Sequence, residues 1–283
     1  MASALILAAA ILFGVSPILA KVAYAYGVTP LTLLALRATI GALLVWLGML
    51  ATRRVARLPR TLFVRLLALG LTIVPFQVFS YFYALSLLPA STASVIANSA
   101  PVHVAWMGWV FLGESLQAAD VAILVGIVGG AVLVAGQTPH TDRPLGLAVL
   151  AIATLASAFY LIAQRRLVRD VAPLAVLSVI LPASAAAYVG VGVASGQIHL
   201  AMPPPAWLAT AGGAIVGSVA SLLVLIALQV TPATRAAMLG MLEPVVTVVL
   251  SVVLLGDLMT WLRALGIAVV ISGIALLHLR RFG

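Results

Sequence analysis

The sequence predicts an all-α integral membrane protein of ten transmembrane helices, built as two five-helix halves of inverted topology. Three observations predict it: an apolar composition with little charge, ten apolar runs of spanning length, and a repeat at a constant offset. Hydrophobic residues make up 64% of the 283 and charged residues 7%, against roughly 25% charged in a soluble domain. Such a chain cannot clothe a water-facing surface, so its solvent is lipid. Cysteine is absent, which excludes disulfides and thiolate metal sites. His103, His140, His199 and His278 are too dispersed for a metal motif, and no cofactor motif is present. The net charge of +9 sits in short connections between apolar runs, a pattern that excludes a nucleic-acid surface.

A spanning helix needs about 20 mostly apolar residues. The runs at 2–22, 30–50, 66–88, 91–112, 120–136, 145–163, 172–195, 207–229, 233–255 and 260–279 qualify, the fifth being the shortest. The first lacks a basic start and a cleavage region, so it reads as a retained span and not as a signal peptide. Backbone groups in lipid must be bonded internally, which makes each run a helix. Trp46, Trp106, Trp109, Trp207 and Trp261 fall mostly near span ends, as interface anchors do.

Orientation follows from the basic residues. With both termini in the cytoplasm, Arg53, Arg54, Arg57, Arg60, Arg65, Arg165, Arg166, Arg169, Arg235, Arg280 and Arg281 lie inside. Only Lys21, Arg37, Arg143 and Arg263 lie on or toward the other side. The positive-inside rule selects this orientation, and the expected location is the plasma membrane, a bacterial inner membrane.

Shifting the sequence by 143 residues brings landmarks into register. Pro30 falls on Pro173, Ala84-Leu85 on Ala227-Leu228, and Pro89-Ala90 on Pro232-Ala233. Pro101-Val102 falls on Pro244-Val245, Gly113-Glu114 on Gly256-Asp257, and Gly130 on Gly273. The halves divide at 1–139 and 140–283. Five spans per half, an odd number, send the second half into the membrane from the opposite side. Inverted repeats are the architecture of many secondary transporters, because two such halves can exchange conformations around a midplane site. A duplication with structural consequences only is the competing reading.

These residues also resemble a family. Phe13-Gly14, Ser16-Pro17 and Lys21, then Pro30 and Arg37, are similar to the opening pattern of EamA-type members of the drug/metabolite transporter superfamily. Pro101-Val102 through Leu112-Gly113-Glu114, and Leu242-Glu243-Pro244-Val245 through Leu255-Gly256-Asp257, resemble its repeated Pro-Val and Leu-Gly-acid pattern. Asp257 departs from the usual Glu, and Ala156-Ser157 from the usual aromatic-small pair. The resemblance covers nearly the whole chain. It implies a cavity lined by spans 1, 3, 4, 6, 8 and 9, with spans 5 and 10 peripheral. It also implies export of amino acids or related metabolites, with the substrate left open. A nucleotide-sugar or drug carrier of the same fold is the alternative.

Among candidate site residues Glu243 is the most informative. It lies about ten residues into the ninth span, close to the midplane at about 1.5 Å rise per residue. A carboxylate there costs on the order of 3 kcal/mol unless it faces protein or water. It can bind a cationic substrate group, carry a coupling proton, or serve as a structural acid beside Pro244. Arg37, two turns into the second span, can hold a substrate carboxylate, pair with Glu243 or bond helix-end carbonyls. Lys21 is long enough to snorkel. Ser16 belongs to the opening pattern and joins the cavity set. Asn98, the only asparagine, shares a face with Pro101 and Ala105. It is a cavity candidate or an interhelical bond. His103 is a cavity candidate able to titrate near neutral pH, but a lone histidine in an apolar helix is more often a satisfied core residue, and that reading is preferred. Gln77 and Tyr81 lie one turn apart in an aromatic-rich third span, and Ser157, Tyr160 and Gln164 repeat that spacing in the sixth. The two polar faces are expected to meet across the cavity. Gly126, Gly129, Gly130, Gly266 and Gly273 read as packing positions only; a homodimer through the peripheral helices is a separate expectation.

No phosphate loop is present, which argues against an ATP-driven pump. The scattered acids argue against an intramembrane lipid enzyme. The expected partners are a small-molecule substrate and the bilayer.

Overall fold

The computed structural model describes residues 2–52, 58–87, 100–114, 117–135, 144–167, 171–255 and 258–279. Among them there is no strand, and twelve helices form ten spans. The first two spans are α1 (Ala2–Ala25) and α2 (Pro30–Thr52). The third is broken into α3 (Arg60–Leu71) and α4 (Ile73–Leu87). The fourth, fifth and sixth contain α5 (Ala100–Leu112), α6 (Ala118–Ala135) and α7 (Pro144–Leu167). The seventh and eighth are α8 (Pro173–Ala194) and α9 (Pro204–Leu228). The ninth is broken into α10 (Ala233–Gly240) and α11 (Leu242–Leu255), and the tenth is α12 (Trp261–Leu279). Ten spans agree with the sequence reading; among the described residues seven are long and apolar enough to cross a membrane, and the fourth, fifth and tenth are represented by shorter apolar stretches. Pro30, Pro144, Pro173 and Pro204 each open a helix, where the missing N–H costs nothing.

The two breaks were not expected, and they share one cause. Pro75 is the third residue of α4 and Pro244 the third of α11. A proline cannot donate to the carbonyl four residues back. That carbonyl belongs to Leu71 or Gly240, the last residue of the preceding half-helix. The third span also starts earlier than expected, at Arg60.

Neighbour relations carry the repeat into three dimensions. The first span packs on the eighth and ninth, and the sixth packs on the third and fourth. The second packs on the eighth, and the seventh on the third. The second also meets the seventh, the fourth meets the ninth, and the fifth meets the tenth. Exchanging the halves returns the same set of neighbours, as a twofold relation between five-span halves requires.

Close backbone approaches hold these pairs. A Cβ on Gly70 would sit 2.7 Å from the Ala183 side chain, and one on Gly130 would sit 2.9 Å from the Gly266 carbonyl oxygen. Gly273 meets Ile127 at the same crossing of α6 and α12. Gly126 and Gly129, expected to pack, face open space. The α6–α12 groove of about 430 Å³ is lined by residues such as Ala122, Gly126, Val269 and Gly273. It is apolar and peripheral, away from the polar groups of the interior. Leu43, Leu47, Trp109, Val125 and Val253 are exposed, as a lipid-facing surface requires.

Candidate functional site

Polar groups of the interior lie in three places: where the first span meets the ninth, around Arg37 of the second, and between the third and sixth. Gly14 permits the closest approach: a Cβ there would lie 2.7 Å from Val246 Cβ and 2.9 Å from the Glu243 carbonyl oxygen. Thr247 Oγ1 lies 3.1 Å from both the Gly14 and the Glu243 carbonyl oxygens, within donating distance of each. This ties the first span to the first turn of α11. Glu243 occupies that turn because the ninth span breaks at Met241.

Arg37 reaches inward from α2. Its Nη2 donates to Ser16 Oγ at 2.7 Å, and its guanidinium lies 4.8 Å from the centre of the Phe82 ring. Gly213 and Gly217 of α9 make room for it, since a Cβ on Gly217 would lie 2.9 Å from Nη2. Tyr24, Tyr81 and Tyr188 stand close enough to feel its charge. Tyr24 donates to the Phe82 carbonyl at 3.2 Å and Tyr188 to the Pro75 carbonyl at 3.3 Å. Among the described residues Arg37 pairs with no carboxylate and bonds no helix-end carbonyl, so two of the three roles open to it in the sequence are not taken here. Tyr81 packs edge-on against Phe82 with ring centres 5.3 Å apart, and it lies within electrostatic reach of both Glu243 and Arg37.

The polar faces of the third and sixth spans meet directly, with Ser157 Oγ donating to Gln77 Oε1. Tyr160 is hydrogen-bonded to Gln164, which is buried. His103 is half-buried on α5. Asn98 lies outside the described residues. The structure therefore joins Ser16 to Arg37, links Arg37 and Tyr81 through Phe82, leaves Glu243 within electrostatic reach of Tyr81, and joins Gln77 to Ser157.

Both ends of this interior are tied by hydrogen bonds that link spans. Lys21 does not snorkel away; its Nζ donates to the Leu85 carbonyl at 2.9 Å. Arg165 donates to the Leu228 carbonyl, the repeat counterpart of Leu85, and to the Gln229 carbonyl at 3.0 Å. Glu114, read in the sequence only as a repeat marker, caps α10. It accepts from the Ala233 N–H at 2.7 Å, the Thr234 N–H at 3.1 Å and Thr234 Oγ1 at 2.8 Å.

Comparison with known proteins gives this arrangement its family. The chain matches the EamA-like transporter family over residues 1–136 and again over 144–279. It belongs to that family, within the drug/metabolite transporter superfamily. The two EamA matches begin and end at the spacing of the repeat found in the sequence. A solved crystal structure superposes on 98% of this EamA chain and 98% of its own, with a TM-score of 0.83 at 24% sequence identity, which shows a shared fold. No curated protein matches in sequence. EamA membership makes this a multi-pass membrane transporter of small molecules.

The sequence alone missed Tyr24, Tyr188, Gly213 and Gly217 around Arg37. A usable signal existed: an arginine inside an apolar span requires small and polar neighbours, and Gly212-Gly213 with Gly217 is the glycine-rich stretch of the eighth span.

Proposed function

We propose that this protein is a secondary transporter that exports small organic metabolites, amino acids or related compounds, by alternating access. The neighbour set that survives exchange of the halves carries this reading. Two similar halves, 1–139 and 140–283, can trade conformations and so present one interior site to either side in turn. The site consists of Ser16, Arg37, Gln77, Tyr81, Asn98, His103, Ser157, Tyr160 and Glu243. Both termini face the cytoplasm of a bacterial cell. Glu243 is the coupling group. It is the acid nearest the centre of the described spans, and it sits at a helix break held against Gly14, where a small shift changes what it faces.

Counterflow into proteoliposomes, run against pooled metabolites, tests transport itself. Wild-type protein should accumulate label from at least one pool, and Glu243→Gln should abolish accumulation driven by a pH gradient while sparing counterflow. Undiminished pH-driven accumulation in that variant would remove the coupling role.

A further inference from the structure

The repeat supplies a control for the Arg37 cluster. Under the 143-residue offset Arg37 corresponds to Ile180, Ser16 to Phe159, Tyr24 to Leu167 and Tyr81 to Val224. Phe82 corresponds to Leu225, Tyr188 to Val45 and Gly217 to Val74. Val45, Val74, Ile180 and Leu225 belong to one buried hydrophobic cluster, and Leu167 and Val224 pack against it. The helix neighbours repeat as well: Gly213 lies against the Arg37 side chain and its counterpart Gly70 against the Ile180 backbone. One repeat position is therefore occupied twice, by an aliphatic side chain among apolar residues in one half and in the other by a guanidinium bonded to Ser16 with three tyrosines in electrostatic reach. Packing is satisfied by isoleucine, so packing does not account for the charge.

The cost of that charge is not met within the described residues. Arginine remains protonated at any accessible pH. Its Nη1 is buried without a hydrogen-bond partner, and its one bonded neighbour, Ser16, is neutral. Of the described acids, Glu114 is committed to α10, Asp120 lies 3.2 Å from the Gln117 N–H at the start of α6, and Glu243 makes no ion pair with Arg37. A buried guanidinium with a free edge is a fork for an oxyanion. The surrounding rings of Tyr24, Tyr81, Phe82 and Tyr188 suit an organic body. No second cation stands among the Arg37 neighbours described here, so the charge matches a carboxylate better than a doubly charged phosphate.

We infer that the Arg37 cluster is a carboxylate subsite present in one half only, and that transported substrates carry a carboxylate bound there. The inference rests on the transport reading and narrows its substrate class. Thermal unfolding of the full-length protein in detergent tests it, with leucine, phenylalanine and benzoate against leucinamide, phenylalaninamide and benzamide. At least one acid should raise the wild-type midpoint by about 2 °C or more through selective binding to the folded state, and its amide should not. Arg37→Ile, which installs the repeat's own residue, should abolish the shift. Arg37→Lys should retain part of it. Gly217→Ala keeps the charge but crowds Nη2, and should weaken it. If no acid shifts the wild type, if amides match acids, or if Gly217→Ala and Arg37→Ile both keep the full shift, the subsite is overturned. Counterflow that proceeds without regard to the carboxylate would sink the subsite and leave transport standing.

Discussion

Replacing Glu114 by alanine should destabilise the protein by about 2–3 kcal/mol. The side chain accepts from two backbone N–H groups and one hydroxyl at the start of α10. Truncation orphans the N–H groups of the buried Ala233 and Thr234, each at about 1 kcal/mol, the low end for buried donors because water can enter the space left by the half-buried Glu114 side chain. Loss of a negative group at a helix N-terminus adds about 0.5 kcal/mol. The Thr234 hydroxyl can rotate and contributes little. For a chain of this size each kcal/mol moves the melting midpoint by about 2–4 °C, so Glu114→Ala should melt about 4–12 °C lower. Glu114→Gln keeps a carbonyl acceptor and should lose about half as much. Differential scanning fluorimetry on the tryptophans reads both. An alanine variant melting within 1 °C of wild type would show that the cap contributes nothing and that the fourth and ninth spans are held by packing alone.

Other consequences follow from the same contacts. Gly14→Ala should cost about 1–3 kcal/mol through overpacking against Val246 and Glu243. Gly126→Ala, with open space around it, should be neutral or stabilising by about 0.5–1 kcal/mol from helix propensity; equal melting temperatures for the two variants would refute the close approach. Thr247→Val keeps the volume and loses the hydroxyl between the first and ninth spans, at about 1 kcal/mol, read as a lower melting midpoint. Lys21→Met and Arg165→Met each release one span end. A cysteine at Ser157 should then react faster with an impermeant maleimide, from opposite sides of the membrane in the two variants. Faster labelling from the same side in both would contradict the two-ended arrangement.

The sequence made the fold legible because lipid reduces it to few choices. Apolar runs must be helices, and an odd count of spans in each repeat fixes inverted halves. The polar faces holding Gln77 and Ser157 were legible from their helical spacing, but the expectation that they face each other across a cavity did not foresee the direct hydrogen bond between them. The breaks at Thr72 and Met241 were not, because Pro17 and Pro182 lie inside unbroken helices and local sequence does not separate the two outcomes. The role of Glu114 was hidden by its distance along the chain from Ala233. The Arg37 environment was hidden for the same reason, since Ser16, Phe82, Tyr188 and Gly217 come from four other spans.

Opposed insertion of the two halves is the claim beneath all of this, and the cysteine-free chain lets it be measured at equivalent positions. Leu58 and Ala201 are separated by the repeat offset and lie in the connections after the second and seventh spans. Single cysteines placed there should be labelled by a membrane-impermeant maleimide from opposite faces, Leu58→Cys from the cytoplasmic side and Ala201→Cys from the outer side. Labelling of both from the same face would contradict the account.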